Sequence, residues 1–450
     1  MISGQLIKKY NVAAPRYTSY PTVPYWDVDN WDQQQWFNTV RKSYNESNDH
    51  GVSLYIHLPF CENLCTYCGC TTRITKNHQV EGPYIDAVLT EWRMYCRVLG
   101  GRPQIREIHL GGGTPTFFSP ENLKKLLDGI TQDAILLSDA DLSFEGHPAN
   151  TTPEHLKTLY SCGFRRVSLG IQDFDSAVQQ VINRKQSVED VQNVTTAART
   201  LGYTSVNYDL IYGLPLQTLS SITHTIAEVI KLRPDRIAYY SYAHVPWIKP
   251  GQRSFTEKDL PVDDEKRALY EHGRSLLSKA GYHDIGMDHF SLKNDKLLAA
   301  SLSGKLHRNF MGYTHQYTKL SIGLGVSSIS DSWYGFAQNN KSVKEYLLQI
   351  SEGKFPLIKG HILTTEDLIV RRIILDIMCK KSAQLPDDDT FFNNLIDGLK
   401  TLEADGLLVL KGKEVMVTDS GLAFLRNICM CFDQKLLSHV PESQIFSTAV

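Results

Sequence analysis

From residue 53 onward, short runs of β-branched and aromatic residues alternate with longer stretches whose apolar positions recur at helical spacing. This alternation is typical of β-α-β units with parallel strands. The runs that predict strands are 53–58, 106–110, 142–145, 165–171, 205–212 and 236–242. The stretches that predict helices, several with Ser, Thr or Pro start signals, are 83–99, 119–131, 153–162, 187–201 and 217–232.

Six such units predict an α/β fold built as an incomplete (β/α)6 barrel. Right-handed crossovers between successive parallel strands curl a sheet around a core, and a closed eight-fold barrel is the alternative. In both folds, loops and helix amino termini meet at the carboxyl ends of the strands. We therefore expect the functional site at that end of the sheet.

The segments that flank this pattern differ from it. Residues 1–50 hold the sequence PRYTSYPT and several tryptophans without periodicity, which indicates an N-terminal arm packed on the main body; a surface tail is the alternative. We assign residues 51–355 to the barrel and a C-terminal extension. Within that extension, residues 245–335 mix Pro, Gly and short segments that periodicity does not place.

The end of the chain predicts a further small domain. Residues 405–428 indicate two strands joined at Gly412 and Lys413, followed by a helix that begins near residues 418–420. This is a winged-helix-like outline. We predict a mostly helical C-terminal domain over residues 356–450.

Composition and charge restrict the function classes only weakly. The chain has 450 residues, 42% of them hydrophobic, and 47 basic against 49 acidic residues give a net charge of −2. This balance is ordinary for a globular protein and gives no global reason to expect binding to nucleic acid or to an acidic membrane. The sequence shows neither a membrane-spanning apolar run nor a signal-peptide pattern, which predicts a cytoplasmic protein.

The cysteines are the first sign of specific chemistry. Four of the nine lie within ten residues, at Cys61, Cys65, Cys68 and Cys70, directly after the first predicted strand. In a reducing compartment this grouping indicates metal or redox chemistry. Three thiolates leave one iron of a four-iron cluster open, whereas structural zinc is usually closed by four ligands, the fourth of which Cys70 can supply. The spacing favours iron–sulfur and leaves zinc as the alternative.

Other polar and glycine positions follow the predicted strands at the same end. Gly111–Gly113 close the second strand, Glu145 follows the third, Gln172 and Asp173 follow the fourth, and Asp209 lies in the fifth. Glycines allow a ligand to approach the backbone, and carboxylates commonly bind ribose hydroxyls. Each residue alone is as readily a tight turn, a helix cap or an ion-pair partner. Together they favour a nucleoside-bearing cofactor.

At these residues a family resemblance becomes visible. The segment from Tyr55 to Cys70, YIHLPFCENLCTYCGC, resembles the signature of radical S-adenosylmethionine (SAM) enzymes, specifically the oxygen-independent coproporphyrinogen III oxidase family. Further segments that are similar to blocks of this family are PRYTSYPT, HLGGGTPT, GIQDF, NRKQ, NYDLIYGLP, YAHVP, GMDHF, LHRNF, GVSSIS and RNICMCFD. The resemblance covers nearly the whole chain and implies that the incomplete barrel is a radical SAM barrel.

The resemblance implies a set of cofactor-binding residues. It implies that a four-iron cluster is bound by Cys61, Cys65 and Cys68, and that SAM chelates the open iron. The positions that match contacts to this SAM are Tyr55, Tyr67, Gly112, Glu145, Ala243 and Ile329. A second SAM molecule is implied near Gly113, Thr114, Gln172, Arg184 and Asp209.

The family reaction converts two propionates of coproporphyrinogen III to vinyl groups, giving protoporphyrinogen IX and carbon dioxide without oxygen. It implies a 5′-deoxyadenosyl radical that removes a propionate β-hydrogen. We assign Cys70, Tyr55 and His57 to the catalytic group; inert packing is the alternative for the thiol and the imidazole. The four substrate carboxylates call for guanidinium partners, for which Arg16 and Arg308 are candidates, although a surface ion pair explains either equally well.

Further expectations concern the binding partners and the positions at which the sequence departs from the family pattern. We expect an electron donor such as flavodoxin or ferredoxin, a monomer, and no nucleic-acid or membrane partner. The chain departs from the family pattern at His147, where an aspartate is expected, and at Met311, where a glutamine is expected.

Two other readings remain. One is a haem-binding or haem-inserting relative, or another radical SAM enzyme that acts on tetrapyrroles. The other is a zinc-stabilised DNA-binding regulator, which the mixed charge of residues 405–433 disfavours.

Overall fold

The structure is a computed structural model that describes residues 4–29, 31–47, 50–439 and 445–448. Its strands are β1 (Val52–Leu58), β2 (Phe60–Cys61), β3 (Arg73–Ile74), β4 (Gln104–Gly112), β5 (Ile135–Gly146), β6 (Arg166–Gln172), β7 (Ser205–Tyr212), β8 (Arg236–Ser241), β9 (His283–Gly286), β10 (His289–Ser291), β11 (His307–Asn309), β12 (Gly312–Thr314), β13 (Ser321–Leu324), β14 (Ile329–Asp331), β15 (Gly335–Asn339), β16 (Leu357–Ile362), β17 (Ser382–Gln384), β18 (Leu408–Lys411) and β19 (Glu414–Val417).

Its helices are α1 (Gly4–Tyr10), α2 (Gln33–Ser47), α3 (Glu81–Leu99), α4 (Pro120–Gln132), α5 (Pro153–Ser161), α6 (Ser176–Val181), α7 (Val188–Leu201), α8 (Leu219–Leu232), α9 (Asp263–Lys279), α10 (Lys296–Leu302), α11 (Val343–Ser351), α12 (Thr365–Lys380), α13 (Asp389–Ala404), α14 (Leu425–Met430) and α15 (Gln434–Ser438). Among these described helices, none is both long and apolar enough to cross a bilayer.

The six predicted strands form the centre of one large sheet. Strands β1, β4, β5, β6, β7 and β8 lie side by side in chain order, and each neighbouring pair is parallel. The barrel does not close, because β1 pairs on its other side with β13 and β8 pairs with the antiparallel β10. The incomplete barrel is therefore confirmed, and the closed eight-fold alternative is wrong.

The five predicted helices are present as α3, α4, α5, α7 and α8, with ends within two residues of the prediction. Strand β5 is longer than predicted: its first half, ILLSDAD, is mostly exposed or half-buried and lacks the signal of a buried strand. The segment 245–335 contributes helices α9 and α10 and several strands of three or four residues, which are too short to show a period.

Burial divides the apolar residues into two main clusters. The larger one fills the barrel and includes Trp36 and Val40 of α2. The second joins arm residues Tyr17 and Tyr20, each 2% exposed, to the C-terminal helices. These arm residues are thus packed and do not form a surface tail, whereas the division at residues 50 and 355 stays a prediction.

The C-terminal part holds the two predicted strands as β18 and β19, with β17 as a third strand that sequence patterning missed. The expected helix near residues 418–420 is displaced, since a 3-10 turn at Gly421–Phe424 precedes α14. Arg426 at the start of α14 donates to the carbonyl oxygen of Pro15 at 3.0 Å. The Tyr17 hydroxyl donates to Asp433 at 3.0 Å. These bonds join the arm to the end of the chain.

Candidate active site

The cysteine loop leaves the carboxyl end of β1 and is fixed by its own backbone. Strands β2 and β3 pair in parallel across it, and Thr75 N–H donates to the Cys61 carbonyl at 2.9 Å. Within the loop, Cys68 N–H donates to the Cys65 carbonyl at 3.2 Å. The three predicted iron ligands are therefore presented by one short segment, as the sequence predicts.

Neighbouring loops hold the same segment from outside. Asn183 Nδ2 donates to the Leu64 carbonyl at 2.7 Å. The buried amide of Gln252 donates to the carbonyls of Tyr67 at 2.9 Å and of Ala243 at 3.2 Å. Gln252 thus joins two predicted cofactor-binding positions that are far apart in the chain. No sequence signal identified it, because an isolated glutamine in an irregular segment has no pattern.

The side chains of the loop suit an iron–sulfur cluster better than a single ion. Zinc requires all its ligands at about 2.3 Å or less from one point. Within the described residues, no group of three or more His, Cys, Asp or Glu side chains is close enough to hold one metal ion. Arg184 Nη1 lies 3.6 Å from Cys65 Sγ, and Arg184 Nε is buried without a hydrogen-bond partner. A trio of separate thiolates beside a buried cation fits an anionic multi-iron group.

The glycine run serves the protein's own packing. Backbone N–H of Gly113 donates to the Leu58 carbonyl at 2.8 Å. A Cβ at Gly112 would lie 2.7 Å from the His57 ring, and one at Gly113 would lie 2.6 Å from the Pro59 carbonyl. The missing side chains at these two glycines therefore leave room for His57 and Pro59, while Gly112 also lines the cavity described below, and the cofactor contacts implied for both glycines stay a prediction.

Replacement of Gly113 by alanine is expected to disrupt this loop. The new methyl group meets backbone atoms, which cannot rotate away, and overpacking of this kind costs about 1–3 kcal/mol. We expect a lower unfolding temperature and a lower iron content after anaerobic reconstitution. Gly69, which lies between two cysteines and has no heavy atom within 4 Å of a built Cβ, is the control. If Gly113→Ala retains iron as well as Gly69→Ala does, the close approach of the two backbones is unimportant.

Strand register places a row of polar side chains next to the loop. Tyr55 lies beside His109 in β4, and His109 lies beside Ser143 in β5. His109 Nδ1 is 2.8 Å from Ser143 Oγ, and its Nε2 is 3.3 Å from Glu145 Oε1. Sequence reasoning gave His109 no role, because only the lateral register shows that it orients Glu145.

Glu145 is held as a carboxylate. Its Oε2 accepts from Gly112 N–H at 3.2 Å while Oε1 faces His109. Burial alone would raise the pKa of Glu145, but the bonds from His109 and Gly112 outweigh it and hold that pKa below its usual value. An ionised, oriented carboxylate can accept hydrogen bonds from the hydroxyl groups of a ribose.

Tyr55 and His57 form a hydrogen bond whose donor and acceptor can be assigned. His57 Nε2 lies 2.9 Å from the Thr71 carbonyl, which only accepts, so Nε2 carries the proton. His57 Nδ1 therefore accepts from the Tyr55 hydroxyl at 3.1 Å. Burial lowers the pKa of His57, which keeps the ring neutral. The histidine orients Tyr55 and ties β1 to the loop after Cys70.

A cavity of about 540 Å³ opens next to these groups. Its size lies in the range of small-molecule sites. The predicted site residues that line it are Tyr55, His57, Cys70, Gly112, Glu145 and Ile329. Phe310, Met311 and Ser328 from the extension complete its wall. The extension, which periodicity did not place, therefore supplies much of the site.

Other predicted cofactor residues lie around this cavity instead of in its lining. Asp209 lines a separate space of about 130 Å³ inside the sheet, into which Glu145 also faces. Gln172 and Arg184 side chains both approach Gly170, and Thr114 Oγ1 is 3.4 Å from Cys61 Sγ. Of the positions implied for a second SAM, Thr114 and Arg184 thus contact the cysteines of the loop, and the role of all these positions stays a prediction.

The two departures from the family pattern have clear surroundings. His147 Nδ1 accepts from Ala149 N–H at 3.1 Å. Burial, together with the charge of Arg184, lowers the pKa of His147 to about 3, so this residue stays neutral where a carboxylate was expected. Met311 lines both cavities and separates them with an apolar side chain.

Asp209 is expected to make stability depend on pH. Burial, followed by the charge of Glu145, raises its pKa from 3.8 to about 6, although Ser168 and Asn207 donate to it. The folded protein then keeps a proton that the unfolded chain releases, so stability is lost as pH rises from roughly 4 to 6 and is level above. The Asp209→Asn variant should not show this loss, which for the wild type is about 3 kcal/mol in the free energy of unfolding.

Urea unfolding of both proteins at pH 4 and pH 7 checks this expectation. The difference between wild type and Asp209→Asn isolates this group from the other carboxylates that titrate in the same range. A difference that does not change with pH contradicts it.

Arg308 and Arg16 lie against Tyr313 and Tyr240, two aromatic residues that line the space of about 130 Å³. Arg308 is 5% exposed, and its Nε and Nη1 are buried without a hydrogen-bond partner. Its guanidinium lies 4.7 Å from the Tyr313 ring centroid, and that of Arg16 lies 5.7 Å from the Tyr240 ring. Arg16 also pairs with Asp288 at 3.4 Å. Arg308 is thus a buried cation with free donors, whereas Arg16 already has a carboxylate partner.

Comparison with known proteins agrees with this geometry. The profile of the Radical SAM superfamily matches residues 55–229. Oxygen-independent coproporphyrinogen III oxidase from Pseudomonas aeruginosa is 38% identical over 97% of this chain and 96% of that protein. The enzyme of the same name from Escherichia coli is 38% identical over 96% of this chain and 95% of its own length. The chain is therefore a radical SAM protein.

A solved structure narrows this class. Coproporphyrinogen III oxidase from Escherichia coli, described as a radical SAM enzyme, superposes with a TM-score of 0.90 at 36% identity, covering 97% of this chain and 99% of that one. The chain belongs to the oxygen-independent coproporphyrinogen III oxidase family. The family resemblance inferred from the sequence is confirmed. The implied use of a four-iron cluster together with SAM is confirmed as well. The second SAM molecule stays a prediction.

Proposed function

We propose that this protein converts two propionate side chains of coproporphyrinogen III to vinyl groups, yielding protoporphyrinogen IX in haem biosynthesis without oxygen. Identity to enzymes of this name along almost the whole chain is the observation that carries the proposal. The cysteine loop, the Glu145 carboxylate and the unpaired Arg308 supply the matching chemistry.

When bound, the cluster and SAM supply a radical that removes hydrogen from the substrate. The role of the chain is to position both partners and to exclude water. Cys61, Cys65 and Cys68 would hold the cluster in the loop that also carries Cys70. Glu145 would accept hydrogen bonds from the ribose of SAM, and Tyr55, which His57 fixes, lines the same cavity. Cys70 lines the same cavity and is available for proton or electron movement.

The substrate combines an apolar macrocycle with four carboxylates. Free guanidinium donors bind carboxylates in a two-pronged geometry, and burial strengthens such bonds. We assign one propionate to Arg308, with Tyr240 and Tyr313 as aromatic walls. Arg16 is a second anchor once its bond to Asp288 is exchanged for a substrate carboxylate.

The remaining partners are part of the same proposal. A low-potential donor such as flavodoxin or ferredoxin supplies the electron, and a second SAM binds near Thr114, Arg184 and Asp209. We propose a cytoplasmic monomer without nucleic-acid or membrane partners. The near balance of charge and nine cysteines that are all free support this placement.

The test is an anaerobic assay with reconstituted protein, SAM, reductant and coproporphyrinogen III. We expect protoporphyrinogen IX, measured by fluorescence after oxidation, together with two carbon dioxide molecules per product. Stable haem binding without loss of coproporphyrinogen would instead identify a haem-inserting relative.

A further inference from the structure

The outer face of the cysteine loop carries exposed apolar side chains that the site does not use. Trp247 is 50% exposed, Ile248 is 55% exposed, and Leu64 is 43% exposed. Leu64 lies against the same segment, since a Cβ at Gly251 would be 3.4 Å from its Cδ2. Isolated exposed apolar residues are common, but these three lie on two neighbouring loops.

Basic side chains lie in the segments that carry or adjoin these three residues. They come from the cysteine loop, from the turn after α6 and from the segment after β8, and they are Arg73, Lys76, Lys185, Lys249 and Arg253. Across the described parts of the chain, none of the five is ion-paired with a carboxylate. The acidic residues in these segments are Glu62, Glu257 and Asp259, and Lys258 is a further cation. This local excess contrasts with a chain of net charge −2.

The three segments are tied to one another and to the cysteines. Asn183 Nδ2 donates to the Leu64 carbonyl at 2.7 Å, and Thr66 N–H donates to the Ile182 carbonyl at 3.0 Å. Lys249 Nζ donates to the Cys70 carbonyl at 2.9 Å. We call this surface of Leu64, Trp247, Ile248 and the five cations the cluster-face patch.

We propose that the cluster-face patch is the docking surface for an acidic protein that carries a low-potential one-electron cofactor. In the docked pair the donor cofactor is oxidised by one electron and the four-iron cluster is reduced by one. The inference depends on the proposed function in one respect, which is that the four-iron cluster must receive an electron from outside the protein.

Charge and composition both favour this occupant. Complementary charge accelerates encounter, and an exposed tryptophan with aliphatic neighbours supplies a small apolar centre. Transient redox partners typically bury a small area, which suits a patch of this size. Docking here places the donor directly over the loop that holds the cluster.

The test uses reconstituted holoenzyme and purified bacterial flavodoxin as the probe. Arg73, Lys76 and Lys185 have free, exposed side chains and are replaced by glutamate. The matched control makes the same charge change at Lys279, Lys344 and Lys400, which are exposed on α9, α11 and α13. A second variant, Trp247→Ser with Ile248→Ser, removes the apolar centre and leaves the charges.

We expect about tenfold weaker flavodoxin binding, measured by calorimetry, for the patch variant and a smaller change for the control. The wild-type rate of cluster reduction by reduced flavodoxin should fall with ionic strength, whereas reduction by dithionite should be equal in all variants. Unchanged binding in both patch variants, or equal weakening in the control, overturns the proposal. Because binding is measured without turnover, failure of wild type to decarboxylate coproporphyrinogen contradicts the proposed function alone.

Discussion

Cys65→Ala is expected to abolish both cluster assembly and decarboxylation. The loop supplies three predicted ligand thiols, and removal of one leaves an incomplete set for a four-iron cluster. Iron and sulfide contents after anaerobic reconstitution should fall to the background of untreated protein. SAM should no longer change the electron paramagnetic resonance signal of the reduced sample.

The control for this change is Cys162→Ala. Cys162 is a free, half-buried cysteine at the end of α5, far from the loop in sequence. The Cys162→Ala protein should retain its full iron content, and its electron paramagnetic resonance signal should still respond to SAM. Zinc in place of iron in wild-type protein, or a cluster signal that does not respond to SAM, would contradict an open iron position.

The barrel was predictable because each of its units carries a strong local signal. Strands such as Ser205–Tyr212 and helices such as Leu219–Leu232 have the length, periodicity and start signals of their class. The three cysteines were predictable for the same reason, since their chemistry depends on spacing within one loop.

Other parts of the site depend on contacts between distant segments. His109 reaches Glu145 only because β4 and β5 pair in one register. Gln252 donates to the carbonyls of both Tyr67 and Ala243, and 185 residues of sequence separate it from Tyr67. The cavity wall from Phe310 to Ile329 is built by strands of three or four residues. Such positions carry no local pattern, and here only family resemblance pointed to some of them.

The two carboxylates of the site show how environment separates similar groups. Glu145 and Asp209 face the same interior space, but Glu145 has the bonds from His109 and Gly112, and its pKa is lowered despite burial. Asp209 feels burial and the charge of Glu145, which raise its pKa to about 6. Glu145 is therefore a permanent acceptor near neutral pH, while Asp209 can gain a proton in mildly acidic solution.

Arg308→Met is expected to stabilise the free protein and to impair substrate binding. Arg308 keeps one weak bond, from Nη2 to the Arg16 carbonyl at 3.4 Å, while two other donors are buried and unpaired. Replacing poorly paired buried charge by an apolar side chain of similar volume stabilises proteins by roughly 1–4 kcal/mol. Loss of a buried guanidinium partner for a carboxylate costs about 2–5 kcal/mol, or at least about 30-fold in KM for coproporphyrinogen.

Arg371→Met is the matched control, because Arg371 is equally buried but fully paired. Its Nη2 donates to both Asp331 oxygens at 2.8 and 2.7 Å, and Nη1 donates to the Trp333 carbonyl at 2.8 Å. Breaking this pair should destabilise the protein by about 3–5 kcal/mol, the opposite sign to Arg308→Met. Urea unfolding and steady-state kinetics measure the two effects separately. A free cation that is kept for a substrate carboxylate must lower the stability of the protein when the substrate is absent. If Arg308→Met unfolds more easily than wild type and binds coproporphyrinogen normally, Arg308 is therefore a structural residue.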